Sequence, residues 1–334
     1  MKQHIMIDSK NIGGTSDAYL IAEIGLNHNN DIDLAKKTIL AAKESGANAV
    51  KFQTYVTEKL LKRDNDAFDL FKNLELSKSQ FEEIFDYCKD IGITFFSTPF
   101  SYESVDLLMD LNVPCFKIAS MDLNYYDFIH YIAKTGKTVI LSTGMANFGE
   151  IDKAVNTIRK TGNDNIVILH CISKYPPKAN EMDMTMIKKL KTLYPEYQIG
   201  FSDHSDDNTM SIVARVLGAT VFEKHFTLDK TLPGPDHVIS SEPKDFIDLR
   251  NKLKAVNESL NPCSKIRLDS GIALYARRSL YAAKDLKKGE ILTKDKINVV
   301  RPGGGIAPEY LPLFLGRELK KDLKASDKID LSCI

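Results

Sequence analysis

The histidines of SDH (202–204) and EKHFT (223–227), His204 and His225, are the side chains best suited to hold a divalent metal, because neutral imidazole is its commonest protein ligand. The plain alternative is a pair of hydrogen-bonded histidines. Glu23 and Glu223 tilt the reading toward metal, and Asp203 and Asp206 offer further acceptors, although SDHSDD would equally cap a following helix. Lys51 in AVKFQT and Lys117 in CFKIAS lie inside apolar runs, where an ammonium is costly unless it meets an anion. Each is either half of an internal salt bridge or a ligand for a phosphate or carboxylate. Gln53, Ser97, Thr98, Ser120, Ser173 and Ser202 occupy comparable places and would surround a polyanion with donors. A Schiff-base aldolase would need one such lysine, so two point to charge neutralisation.

Other segments carry less. GPDH (234–237) puts a carboxylate and an imidazole on a long stretch after the last apolar run, from which a loop can close over a site. RPGGGI (301–306) lacks the Lys-Ser/Thr and the βαβ context of a phosphate loop, and reads as a flexible turn. The five cysteines, Cys88, Cys115, Cys171, Cys263 and Cys333, form no C-x-x-C pair and read as reduced thiols.

The elements that must position these residues are written in the spacing. Short apolar runs bounded by turn signals occur at 19–25, 49–55, 93–99, 115–120, 138–144, 166–173, 198–204 and 221–227. Segments with helical spacing separate them, and Gly46, Gly92, Gly136, Gly162 and Gly218 stand where helix C-termini favour positive φ. Eight such units over about 260 residues suit a (β/α)₈ barrel; periodicity alone would also allow a doubly wound open sheet. The polar residues decide for the barrel, since in each run they gather at the C-terminal end, and a barrel brings all eight ends to one rim.

After residue 227 a loop leads into a helical stretch, FIDLRNKLKAVNESL, that could close the barrel. The expected division is a barrel over 1–262, a linker over 263–274 and a β-rich domain over 275–334, small enough to need support from another surface. The 334 residues are 43% apolar and 27% charged, with 45 basic and 45 acidic side chains, which suits a soluble globular protein and argues against nucleic-acid or membrane-surface binding. No signal peptide and no stretch of 18 apolar residues is read, so a cytoplasmic location is expected.

AEIGLNH (22–28), KFQTY (51–55), STPF (97–100), FKIAS (116–120), STGM (142–145), SDH, EKHFT and GPD, followed by SLYAAKDLKKGE and VRPG, resemble the sialic acid synthase family, in family order and over nearly the whole chain. The resemblance implies a (β/α)₈ barrel joined to an antifreeze-like SAF domain in a homodimer, each small domain capping its partner's barrel. It implies a phosphoenolpyruvate-dependent, C–C bond-forming transferase that joins phosphoenolpyruvate to an N-acetylated amino sugar and releases phosphate. Mn²⁺, with Mg²⁺ or Co²⁺ as substitutes, would be held by His204 and His225, and Glu23 would act on the attacking water. Lys51, Gln53, Thr98, Lys117, Ser120, Ser173 and Ser202 would bind phosphoenolpyruvate. Asp122, Tyr175 and Asp236, with Tyr275 and Arg301 from the small domain, would meet the sugar.

Two departures bear on the substrate. Phe52 stands where N-acetylneuraminate enzymes have histidine, and Met121-Asp122 where they have Gly-Glu. KFQTY, IASMD and HCIS lean to the legionaminic and pseudaminic acid branches, whose substrates are 2,4-diacetamido-2,4,6-trideoxyhexoses, and Phe52 is expected to make the pocket less polar. N-acetylmannosamine is the alternative substrate. A heptulosonate-type synthase would need a further basic cluster, of which only Arg277 and Arg278 are found, and an ice-binding module would need a regular surface rather than one crowded with lysine. The segment between Leu60 and Leu74 matches no motif and contributes no expected site residue.

Overall fold

Alternation along the chain builds a closed barrel of eight parallel strands in a computed structural model that describes residues 4–261 and 271–334. A short antiparallel hairpin, β1 (Ile5–Ile7) with β2 (Lys10–Ile12), comes first. The barrel follows as β3 (Tyr19–Gly25), β4 (Ala49–Thr54), β5 (Thr94–Pro99), β6 (Cys115–Ile118), β7 (Thr138–Ser142), β8 (Ile166–Cys171), β9 (Gln198–Asp203) and β10 (Val221–His225), with β10 pairing back onto β3. The eight expected runs are therefore the eight strands, and the open-sheet alternative falls.

Helices between the strands bury one stripe each, as in Lys78–Ile91, where Phe81, Ile84 and Cys88 face inward. Local sequence starts and stops them. Ser77 with Gln80 and Asn147 with Glu150 form capping boxes at the helices Lys78–Ile91 and Phe148–Arg159. The five expected glycines all take positive φ. Strand alternation then sorts side chains into two layers. Leu20, Ala22, Val50, Phe52, Phe116 and Phe222 face the helices in the main core, whereas Ile21, Ala49, Phe96, Cys115, Ile140 and Val221 fill the barrel's interior with Ile5, Ile7 and Ile12 of the hairpin.

The chain divides into two compact units, Met1–Asn261 and Pro262–Ile334. Of the expected linker, 263–270 lies outside the described residues, as does Cys263, while residues 272–274 belong to a short helix, Ile272–Ala276. In the second unit β11 (Ser279–Ala282) pairs antiparallel with β12 (Ile297–Val300) over a core of Leu280, Leu286, Leu292, Phe314, Leu323 and Ile329. RPGGGI proves to be a packed turn. A Cβ on Gly303 would come within 2.9 Å of the Ala273 carbonyl, so the glycine lets this turn lie against the short helix. Cys88, Cys115, Cys171 and Cys333 are free and buried. Among the described residues no helix is long and apolar enough to cross a membrane.

Candidate active site

The C-terminal ends of the barrel strands line a cavity of about 660 Å³. Because side chains alternate, the inward positions nearest that end belong to Glu23, Lys51, Thr98, Lys117, Ser202 and Glu223, and these form its floor. Lys51 Nζ lies 2.8 Å from Glu23 Oε2 and 3.8 Å from Glu223 Oε2, and Lys117 Nζ lies 3.4 Å from Glu223 Oε1. Two ammoniums and two carboxylates thus balance each other where no more than a few per cent of any side chain is exposed. The salt-bridge reading of the lysines holds in this structure, and both lysines also face the cavity. Lys51 donates to Thr98 Oγ1 at 3.1 Å, Ser202 Oγ to Glu223 Oε1 at 2.9 Å, and Gln53 Nε2 to Glu23 Oε1 at 3.3 Å.

The two carboxylates are not equivalent. Burial pushes Glu23 up to about 7 despite Lys51, with the nearby Glu223 charge adding to the rise. Burial acts on Glu223 in the same sense, but Lys117 and Lys51 outweigh it and hold that group down at about 2. One floor carboxylate is thereby poised to exchange a proton near neutral pH, while the other stays ionised.

At the rim, the His204 and His225 rings are 5.6 Å apart, and Tyr175 lies over His204 at 4.1 Å between centroids. His204 Nδ1 hydrogen-bonds the Ile172 carbonyl at 2.9 Å, which orients the ring. His225 Nδ1 is buried with no hydrogen-bond partner, 3.8 Å from Asp236 Oδ2. An oriented imidazole beside an orphaned one suits a cation held by two histidines. No group of three or more His, Cys, Asp or Glu among the described residues is placed to hold a metal.

Gly25 explains how the loops reach this place. It ends β3 at φ +53°, and a Cβ there would come within 3.0 Å of Asp236 Oδ2 and 3.2 Å of Glu23 Oε1. Asp236 itself is carried by the loop after β10. Asn27 Nδ2 donates to Ser240 Oγ and Asn29 Nδ2 to the Pro233 carbonyl, fastening that loop to the one after β3. Ser120 Oγ accepts the Gly144 N–H at 3.0 Å and so joins the loops after β6 and β7.

Twelve of the barrel residues expected from the sequence have places in this cavity's wall, Gln53, Ser120, Ser173, Tyr175 and Asp236 included, whereas Ser97 and Asp122 do not; Ser97, one position from the inward Thr98, shares a hydrogen bond with Thr54 Oγ1 at 2.7 Å instead. Asp122 ends the turn Ser120–Asp122, and burial raises its carboxyl to about 6. Asp203 is not with the histidines either. As an outward position of β9 it pairs with Lys224 at 3.1 Å and accepts from Ser205 and Ser211, while Asp206 borders a different groove. Phe52 also points outward, stacking on His28 and packing at a tilt against Phe95 in the helix-facing layer, so it does not make the cavity less polar. Tyr275 and Arg301 belong to the second unit, where both are exposed.

The sequence marks several lining residues weakly or not at all. Glu223, marked only as a neighbour of the histidines, pairs with both Lys51 and Lys117 and is the hub of the floor. Cys171 lines the cavity, and although burial favours its thiol, contact with His204 and Lys117 lowers its pKa. Leu60, Leu61 and Phe71 come from the unmatched segment, and Leu26, Phe100 and Met145 from other loops.

The NeuB family model matches residues 38–265, and the SAF domain model matches 277–330. The chain is 43% identical to an uncharacterised protein of Methanocaldococcus jannaschii, over 98% of this chain and 97% of that one. It is 38% identical to the N,N'-diacetyllegionaminic acid synthase of Campylobacter jejuni, over 93% of this chain and 98% of the relative. Among solved structures it resembles the N-acetylneuraminic acid synthetase of Leptospira borgpetersenii, with a TM-score of 0.77 and 35% identity over 80% of this chain and 95% of that one.

Proposed function

The chain belongs to the NeuB family, and from that membership we propose that it condenses phosphoenolpyruvate with the open-chain aldehyde of an N-acetylated amino sugar. The observation that carries this reading is the floor, where Lys51 and Lys117 stand among Thr98, Ser120 and Ser202 with exchangeable carboxylate partners. Such a set can neutralise a phosphate and a carboxylate together. C3 of phosphoenolpyruvate forms a bond to the aldehyde carbon, water adds to C2, and the C2–O bond to phosphate breaks. One water proton ends on the new hydroxyl and the other on inorganic phosphate, leaving a nine-carbon α-keto acid. Glu23, with its raised pKa, orients the water and takes its proton. Gln53 fixes the Glu23 carboxylate, and Ser173 adds a donor to the anion site.

A divalent cation, Mn²⁺ in this reading with Mg²⁺ or Co²⁺ as substitutes, would be held by His204 and His225, and when bound supplies Lewis-acid polarisation of the aldehyde oxygen. Tyr175 and Asp236 would contact the sugar, with Asp122 supporting them from its turn. Tyr275 and Arg301 would reach the sugar from the small domain of a partner copy in a homodimer, the barrel being the catalytic domain and the small domain its cap. The exposed apolar side chains Ile272, Leu274 and Tyr275 support a covered role for that helix.

A 2,4-diacetamido-2,4,6-trideoxyhexose, giving a legionaminic or pseudaminic acid, is the favoured substrate; Met121 at the cavity wall supports it, whereas Phe52 no longer does. N-acetylmannosamine is the second reading, supported by the similarity to the Leptospira protein. Phosphate release from phosphoenolpyruvate with Mn²⁺ and each sugar tests both. Release with one acetamido sugar, lost on chelation and in His204→Ala, is expected. Release with none from folded, metal-loaded protein overturns the reading.

A further inference from the structure

We propose that an apolar wall formed by Leu26, Leu60, Leu61, Phe71 and Phe100 reads the terminal carbon of the acceptor sugar and selects a methyl group there over a hydroxymethyl. The inference rests on the reading of the site as an acetamido-sugar synthase.

Segment 55–76 carries Lys59, Lys62, Arg63, Asp64, Asp66 and Asp69, all exposed, yet the side chains it gives the cavity are Leu60, Leu61 and Phe71 alone. Leu60, Phe71 and Phe100 pack with Leu26, Tyr55 and Leu74 as one cluster, so the wall is continuous across the loops after β3, β4 and β5. It is also held in place before any ligand arrives. Tyr55 OH donates to the Phe71 carbonyl at 3.0 Å, the Thr57 N–H and Oγ1 both donate to Glu75 Oε2, and Asn30 Nδ2 donates to the Asn73 carbonyl.

Asp236 and Gln53 border this wall at Gly25, beside Leu26, and the cavity's other side-chain donors and acceptors lie on the strand ends, at Ser120 and Ser173 and around His204, Tyr175 and His225, so the stretch of Leu60, Leu61, Phe71 and Phe100 carries no polar side chain of its own. A substrate whose phosphate, carboxylate and aldehyde are met by those polar groups leaves the apolar sector for a carbon that bears no oxygen. A hydroxyl pressed against that wall would give up water and gain no partner side chain. Apolar pockets reject an added hydroxyl only moderately, so the expected preference is roughly 10- to 100-fold in kcat/KM.

The test uses the full chain with Mn²⁺ and two 2,4-diacetamido aldoses that differ only in a methyl or hydroxymethyl terminus. The wild type is expected to favour the methyl sugar by at least about tenfold, by the same argument. Phe71→Asn and Leu61→Gln should shrink the ratio several-fold, and Phe71→Leu should keep it. Because both sugars are read in the same variant, general loss of fold lowers both and leaves the ratio intact. A wild-type ratio near one, or a ratio unmoved in both polar variants, overturns the wall's role while leaving the synthase reading standing. Absence of phosphate release with every acetamido sugar overturns the synthase reading and this inference with it.

Discussion

The two ends of the barrel are made by the same eight strands, and two residues separate oil from chemistry. At the N-terminal end the inward side chains are Ile21, Ala49, Phe96, Cys115, Ile140 and Val221, sealed by Ile7 and Ile12 of the hairpin. One inward step further on they become Glu23, Lys51, Thr98, Lys117, Ser142 and Glu223. The first set is stabilised by burial and needs no partner. The second is buried against its own preference and must be balanced charge by charge. Stability and reactivity are thus divided along each strand, the pattern expected of a barrel whose loops carry the function.

The sharpest way to break this comparison is to unbalance the charged end. Glu223→Gln leaves two ammoniums facing one carboxylate, and is expected to cost about 3–5 kcal/mol in urea unfolding and to abolish phosphate release. Replacing the pair together, as Lys117→Met with Glu223→Leu, should restore stability to at least that of the wild type while leaving the protein inactive. If Glu223→Gln unfolds at the wild-type urea concentration, the balance is not what holds this end together.

At the sealed end the reverse is expected. Ile7 is fully buried in the plug, and Ile7→Ala should cost about 2–5 kcal/mol while the turnover of the folded fraction stays unchanged. Turnover that falls with stability would mean that the plug also sets the rim's geometry.

The same division explains what could be read from the sequence. Strand count, order and polar ends were legible, because buried parallel strands appear as apolar runs and helix-ending glycines punctuate them. Lys51 and Lys117 stood out because an ammonium in an apolar run has few explanations. The facing of a single residue was harder. Asp203 and Phe52 sit one position from inward residues, and a one-residue step turns a side chain to the other layer, where Asp203 meets Lys224 and Phe52 meets His28. Segment 60–74 was not legible at all, since its short helix, Phe68–Leu74, is held by a contact with the distant loop after β3 rather than by a local pattern. Tyr275 and Arg301 were marked by resemblance alone.

Behind the rim, outside both interior ends, His28 gives a third and smaller effect. Buried against Phe52, its imidazole is pushed down to about 4 by desolvation. The folded state therefore holds it neutral where the unfolded chain would protonate it. Its contribution to stability is complete above the ordinary histidine value near 6.5, and is lost as pH falls toward 4. Thermal unfolding of His28→Phe, compared with wild type between pH 7 and 4.5, should decline less steeply. Parallel curves would show that some other group carries the acid sensitivity of this layer.

The smallest effect distinguishes strands from loops as carriers of the site. Floor residues are fixed by the barrel ladder, whereas the apolar wall depends on a few side-chain bonds, among them Thr57 Oγ1 to Glu75 Oε2 at 2.6 Å. Thr57→Val removes that bond but keeps the shape, and should cost about 1 kcal/mol. Lys72 still pairs with Glu75 and Glu58, so the segment remains folded. If the wall meets the sugar and the floor phosphoenolpyruvate, as proposed, loosening the wall should raise KM for the sugar a few-fold and leave KM for phosphoenolpyruvate unchanged. Equal rises in both would mean that wall and floor move as one body, and that the strands, not the bonds of segment 55–76, set the position of Phe71.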